Sequence, residues 1–392
     1  MEKLVYGGDG LARLDGRVVF APFVLPGERI LARAEREKPG MVRARMLEVL
    51  QAAPDRVAAP CPVFGRCGGC HYQHAPYEYQ LLAKRTILVE ALQRLGKLEA
   101  PAEIPIVAAE PFGYRNRVQL HVEENRIGYR EGRSHKLCAV GACPVGSPKI
   151  NQAIAALTQM TRDGRWPRFI RSLEVFTDER EVQINVLETD RPVARRFFDW
   201  CGTVIPGLVE GALDYRGEFR VSSNSFFQVN RLLIDQLVAA ATEGAEGDTA
   251  LDLYAGVGLL SMPLARSFRE VMAVESGAGA VRDLQFNAAR AGLSNLRAIS
   301  QTAEEHLAQL EKAPDFIVLD PPRTGLGKAV VGRLIDLRPR QIAIVACDPA
   351  TLARDLACLV AAGYRIDRMT LVDLFPQTYH LETVVRLALG AS

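Results

Sequence analysis

Cys347 stands in Ala343-Ile-Val-Ala-Cys347-Asp-Pro-Ala, at the end of the apolar run from Gln341 to Ala346 and directly before Asp348-Pro349. The run predicts a buried strand, and the Asp-Pro pair predicts its end and a turn. A thiol is thereby set at the carboxyl end of a strand, the edge at which open α/β sheets bind ligands. It is a candidate nucleophile if a substrate site and a proton acceptor lie beside it. The plain alternative is a buried structural cysteine, because free Cys is among the most buried residue types. A candidate proton acceptor is Glu382, which opens the apolar run Thr383-Val-Val-Arg-Leu. If that run is an antiparallel strand, Glu382 reaches the same rim and can take a proton. Otherwise it is an exposed strand residue.

A second constellation surrounds Asp252-Leu-Tyr254-Ala-Gly256-Val-Gly258-Leu-Leu-Ser261. It reads as a strand, a glycine turn and a helix start, with the glycines allowing a ligand to approach the backbone. Glu275 lies 17 residues past Gly258, at the end of the next apolar run. That position suits a carboxylate that accepts two ribose hydroxyls. A dinucleotide site wants a third glycine where Ser261 stands, so S-adenosylmethionine is favoured over NAD. Asp320-Pro-Pro-Arg323 ends a further apolar run at the same edge. Enzymes that methylate amino groups usually follow such prolines with an aromatic residue, and here Arg323 takes that place. This favours methylation of a ring carbon. C5 of uracil attacks a sulfonium methyl group poorly until a thiolate has added to C6, which is the chemistry Cys347 would supply.

A third set is Cys61-Pro-Val-Phe-Gly-Arg-Cys67-Gly-Gly-Cys70. Three thiols this close, in a chain whose cysteines are not expected to form disulfides, point to a metal. His71 and His74 keep zinc open. An iron–sulfur cluster is favoured, with a distant fourth thiolate from Cys143, in Cys143-Pro, or from Cys138. Cys201 and Cys358 are expected in the core.

These residues need elements to hold them. The chain has 392 residues, enough for two or three domains, and its 48% hydrophobic content supports a folded core. Residues 1–53 show short alternating runs split by Gly and Asp-Gly turns, the pattern of a five-stranded OB-like barrel. Residues 54–225 carry the cysteine array, a helix over Tyr77–Leu95, and then β-rich segments. Residues 226–392 alternate strands (249–253, 271–275, 315–319, 341–346) with helices (278–291, 328–336), which predicts an α/β Rossmann-like domain with a mainly parallel sheet. The N-terminus lacks signal-peptide architecture and no apolar run reaches 18 residues, so a cytoplasmic chain with no membrane partner is expected. A net charge of +2 rules out a strongly basic nucleic-acid binder, so any RNA contact must come from local patches. Arg115–Lys136, with Tyr114 and Tyr129 among its cations, suits phosphate contacts and base stacking, or else a solvated sheet face.

Taken together these motifs resemble the TRAM-containing, iron–sulfur RNA uridine-5-methyltransferases, along essentially the whole chain. Leu4-Val-Tyr-Gly-Gly-Asp-Gly-Leu-Ala resembles the start of a TRAM domain, with its first strand clipped. Tyr114-Arg-Asn-Arg and Ile127-Gly-Tyr-Arg resemble the central RNA-contacting domain. The resemblance implies a 4Fe-4S cluster on Cys61, Cys67, Cys70 and Cys143. It implies S-adenosylmethionine contacts from Gln228, Tyr254, Glu275 and Asp320 beside the Gly256 turn. It also implies Cys347 as nucleophile and Glu382 as proton acceptor. The expected substrate is structured RNA, with ribosomal RNA of the large subunit ahead of transfer RNA, and the expected state is a monomer. Two positions depart from the family pattern. Ala346-Cys347-Asp348-Pro349 replaces Ser-Cys-Asn-Pro, and Asp348 is read as a cap for the following helix. Leu259 stands where some members carry a polar cofactor contact.

Overall fold

The computed structural model describes residues 1–390. The amino-terminal sheet holds β1 (Lys3–Leu4), β2 (Asp9–Leu14), β3 (Arg17–Pro22), β4 (Arg29–Lys38) and β5 (Met41–Gln51), in the order β1-β2-β3-β5-β4. Asp15-Gly16 joins β2 to β3 with both residues at positive φ, as a tight hairpin turn requires. Among the described residues no strand ladder pairs β1 with β4, but just ahead of these two strands Gly27 N donates to Met1 O at 2.8 Å and Met1 N to Glu28 O at 2.7 Å. The sheet is tied to the next segment by Glu28. Its buried carboxylate accepts from Leu25 N (2.8 Å), Ala53 N (3.3 Å) and the Arg56 guanidinium.

The chain then crosses the molecule. Helix α1 (Tyr77–Ala91) ends in one π turn at Gly96 and is followed by the short strand β6 (Ile106–Val107). Ile87, Leu88 and Leu92 share a core with the carboxyl-terminal third, so this segment packs there, away from the β-rich segment that follows it in sequence.

That β-rich segment is a six-stranded sheet in the order β12-β11-β10-β7-β8-β9. It comprises β7 (Arg117–Glu123), β8 (Arg126–Arg130), β9 (Leu137–Ala139), β10 (Ile170–Thr177), β11 (Val182–Thr189) and β12 (Leu208–Val209). Helices α2 (Pro148–Met160) and α3 (Arg195–Val204) bury Ile150, Ile154, Leu157 and Phe197 in its core. A hairpin, β13 (Ala212–Tyr215) with β14 (Phe219–Ser222), leads to the last domain.

The carboxyl-terminal third is doubly wound. Its strands are β15 (Thr249–Leu253), β16 (Glu270–Glu275), β17 (Leu296–Ser300), β18 (Phe316–Leu319), β19 (Gln341–Ala346), β20 (Tyr364–Val372) and β21 (Thr383–Leu389). With β6 they form one sheet in the order β17-β16-β15-β18-β19-β21-β20-β6. Helices α4 (Ile234–Thr242), α5 (Ser261–Ala265), α6 (Ala278–Arg290), α7 (Ala303–Gln309), α8 (Gly327–Leu337) and α9 (Pro349–Ala361) complete this third. Phe316, Ile317, Val318 and Leu319 are all fully buried, which is why this strand is a continuous apolar run in the sequence. The strand order reverses between β15 and β18, and that is where such sheets bind ligands. β21 alone runs against its neighbours.

Candidate active site

The antiparallel course of β21 brings the two ends of the proposed chemistry together. Ala346 pairs with Thr383. Cys347, one step past β19, and Glu382, one step before β21, therefore leave adjacent strands at the same edge. Asp320 follows β18, the other neighbour of β19, at that edge. The setting is electrostatically tense. Burial pushes Glu382 well above the usual carboxylate range, and the neighbouring Asp320 adds to this while Arg323 opposes it. Asp320 is raised to about 7 by burial. Burial, then Glu382, holds the Cys347 thiol up at about 12; Asp320 adds to this and Arg323 again opposes it. The resting Cys347 side chain is thus a protonated thiol, and Arg323 is the cation that works toward the thiolate. The guanidinium also lies 3.5 Å from the His380 ring, which burial and that charge keep neutral, at about 3.

Asp348 caps α9 as read from the sequence. Its carboxylate accepts from Ala350 N at 2.9 Å and Thr351 N at 3.0 Å. On the turn between them, the Cys347 carbonyl accepts a bond from the Tyr6 hydroxyl at 3.2 Å. Tyr6 belongs to the amino-terminal sheet region, and its ring meets Tyr379 edge-on at 5.5 Å between centroids. Sequence reasoning missed this contact. The partners are 341 residues apart and no local pattern links them.

The glycine turn lies at the β15/β18 reversal. Tyr254 and Gly256 have φ of +65° and +55°, and Gly258 has +100°. A Cβ on Gly258 would meet Leu284 at 2.5 Å, so only glycine fits. A small cavity here is lined by Phe226, Gln228, Tyr254, Gly256, Leu259 and Asp320, among others. Gln228 Nε2 donates to Asp320 at 3.3 Å. Glu275 accepts from Gly256 N at 3.0 Å and Gly277 N at 2.6 Å, so its carboxylate braces the turn. Asp252 is a site residue the sequence reading passed over. It accepts from Ser261 Oγ at 2.5 Å, while its other oxygen is buried without a partner. Burial raises it to about 7; the Ser261 bond works against this, and Asp320 and Glu275 add to it. Its signal was in the sequence, as the acid that opens the glycine turn.

Separately, Cys61, Cys67, Cys70 and Cys143 line one cavity of about 180 Å³. Cys138 does not line it; it is fully buried and accepts from Arg66 Nε at 3.4 Å. Burial raises Cys67 to about 11 and Cys70 to about 12, and neighbouring thiols add to both. Among the described residues no three His, Cys, Asp or Glu side chains converge on the position of a single ion. Cys201 is buried as expected, but Cys358 is exposed, a correction to its expected place in the core. The Arg115–Lys136 segment also needs correction. Tyr114 is fully buried with its hydroxyl on the Pro376 carbonyl at 3.0 Å. Arg117 is buried over the Phe176 ring, 4.1 Å from its centroid. Arg133 is paired with Asp9 of the amino-terminal sheet at 2.8 Å. Tyr114 and Arg117 thus hold the fold together and are not a free base-stacking surface, while Arg133 stays more than half exposed in its ion pair.

The sheet order, the glycine turn and the acid that ends the second strand define an S-adenosylmethionine-dependent methyltransferase fold. The family described as tRNA (Uracil-5-)-methyltransferase matches residues 211–389. An uncharacterized RNA methyltransferase of Aquifex aeolicus is 33% identical over 99% of this chain and 97% of its own. One from Streptomyces avermitilis is 36% identical over 98% and 96%. The crystal structure of Pyrococcus abyssi tRNA (uracil-54, C5)-methyltransferase with S-adenosyl-L-homocysteine is similar over 99% of both chains, with a TM-score of 0.77 and 27% identity. The chain belongs to the RNA uracil-5-methyltransferase family.

Proposed function

We propose that this chain methylates C5 of a uridine in structured RNA through a transient bond between Cys347 and C6. The observation that carries the reading is the Ala346–Thr383 register, which sets a thiol and a buried carboxylate on one edge beside Asp320. The Cys347 thiol first loses its proton to solvent; the thiolate adds to C6, and the C5–C6 electron pair moves toward O4 as an enolate. Arg323 is the cation available to favour both the thiolate and this developing charge. S-adenosylmethionine supplies the methyl group that C5 takes. Glu382 then accepts the C5 proton. A carboxylate pushed upward by burial is a stronger base than an exposed one. The electrons of the broken C5–H bond re-form the C5–C6 double bond and expel the Cys347 thiolate. Gln228, Tyr254, Gly256, Glu275 and Asp320 hold the cofactor, and the unpartnered oxygen of Asp252 supports a polar ligand at that cavity.

Cys61, Cys67, Cys70 and Cys143 hold a 4Fe-4S cluster in the same reading. Four thiols around one cavity of about 180 Å³ fit a multi-iron centre better than a single zinc. Their mutual crowding favours thiolates only when a cationic centre compensates them. When bound, the cluster supplies metal–sulfur cross-links between the loop 61–70 and Cys143.

The motif set favours ribosomal RNA as substrate. The whole-length likeness to the Pyrococcus abyssi enzyme, which acts on transfer RNA, favours transfer RNA as a second reading. Mass mapping of both RNA pools from a deletion strain separates them, with one methyl group missing from one pool. With purified protein, Cys347→Ala abolishes methylation of that RNA; retention of the wild-type rate would refute the covalent route.

A further inference from the structure

The loop between β20 and β21 delivers Glu382, and it is held from outside with unusual completeness. Four consecutive carbonyls accept bonds from other parts of the chain. Asn230 Nδ2 binds Leu374 O at 3.1 Å, Lys84 Nζ binds Phe375 O at 2.9 Å, and the Tyr114 hydroxyl binds Pro376 O at 3.0 Å. His71 N and Tyr72 N both bind Gln377 O, at 2.8 and 3.0 Å. Gln377 has a φ of +67° and exchanges two 3.0 Å bonds with Gln80, one from its backbone N–H and one to its side chain. At the root of the loop, Asp373 accepts from Lys84 Nζ at 2.6 Å and from the Tyr77 hydroxyl at 2.8 Å.

The Lys84–Asp373 pair is buried on both sides. Removing two charges from water costs several kcal/mol per ion, and well-packed apolar residues commonly match or exceed such a pair in stability. Stability alone gives little reason for it. What the pair does achieve is geometric. One ammonium fixes the carboxylate that opens the loop and the carbonyl two residues later, and the same loop ends on His380 and Glu382.

We propose that Lys84 is a positioning residue for the proton-abstraction step, acting from α1 through Asp373 and the Phe375 carbonyl on the placement of Glu382. The inference rests on the covalent reading of the site. It separates the two halves of the reaction. Adduct formation depends on Cys347 and its turn, to which Lys84 donates no bond and which the loop meets only indirectly, through Tyr379 on Tyr6 and His380 beside Arg323. Adduct release depends on Glu382, which the strapped loop delivers directly. Small displacements of a catalytic group cost orders of magnitude in rate.

The test is single-turnover methylation of substrate RNA by the full-length enzyme, following methyl transfer and the decay of the denaturation-stable protein–RNA adduct, with Glu382→Gln as reference. Lys84→Met should form the adduct at close to the wild-type rate and release it about tenfold or more slowly, so that adduct accumulates as it does in Glu382→Gln. Tyr77→Phe, which leaves no charge unpaired, should slow release in the same direction and keeps the test open if Lys84→Met does not fold. Release at the wild-type rate from a folded Lys84→Met, or from Tyr77→Phe where Lys84→Met fails to fold, overturns the assignment. Equal slowing of formation and release would show a general structural role and also overturns it. If Glu382→Gln itself accumulates no adduct, the covalent reading falls, and the assignment of Lys84 falls with it.

Discussion

Burial of charge is the central device at the scale of single residues. Asp252, Asp320 and Glu382 are all pushed upward by loss of water, and Cys347 with them. For Asp252, the carboxyl group moves from an ordinary 3.8 to about 7. A raised acid stabilises the fold in its neutral form, so that contribution is complete below the unfolded value and is lost as pH climbs through about 7. Asp252→Asn therefore unfolds at a higher temperature than the wild type at pH 8, by the equivalent of roughly 1–3 kcal/mol. The gap should narrow steadily toward pH 4, and a gap independent of pH would contradict the assignment. Cys347, Glu382, Asp320 and the glycine turn were legible as types and spacing because each ends or opens an apolar run. Tyr6, Lys84 and Gln377 were not, since their importance comes only from partners hundreds of residues away.

Among the elements, the four strands and two helices read over 249–346 lie within about a residue of their sequence reading, with β18 at Phe316–Leu319 and α6 at Ala278–Arg290, whereas β17, β20, α4, α5, α7 and α9 were not given bounds. Parallel strands buried on both faces leave an unbroken apolar record. Helix α1 was legible as a helix but not as part of this third, because its docking is a tertiary choice with no local signature. The direction of β21 was likewise left open by the sequence. Asp348 shows a local rule holding in full: Asp-Pro both ends β19 and starts α9. Asp348→Ala removes two accepted amide bonds and should lower stability by about 1 kcal/mol in urea unfolding. No loss would mean the cap contributes nothing beyond what water supplies.

Across the whole molecule, the three larger sheets are linked around the edge that carries Cys347 and Glu382. Asp9 binds Arg133 across the sheet boundary, Tyr6 touches the Cys347 turn, and the chain just after Cys70 binds Gln377 on the loop that carries Glu382. The cysteine site thus stands one residue from a backbone contact to the catalytic loop. If the proposed cluster is present, Cys67→Ser loses its visible colour and binds substrate RNA several-fold more weakly, while S-adenosylmethionine binding stays within about twofold because its cavity lies on a different sheet. Unchanged RNA binding after complete loss of colour would remove the cluster from the recognition of substrate. The sequence showed that the thiols belong together. It did not show that their loop braces the opposite end of the chain.

The proposed route depends on a carbon–sulfur bond that forms and breaks within each turnover. RNA carrying 5-fluorouridine at the target position, incubated with the intact enzyme and S-adenosylmethionine, presents C5 with fluorine where Glu382 needs a proton to remove. Elimination is then blocked and the bond persists. The account predicts a denaturation-stable complex whose peptide map carries the nucleotide on Cys347. An enzyme that methylates ordinary RNA yet never yields that complex would contradict it.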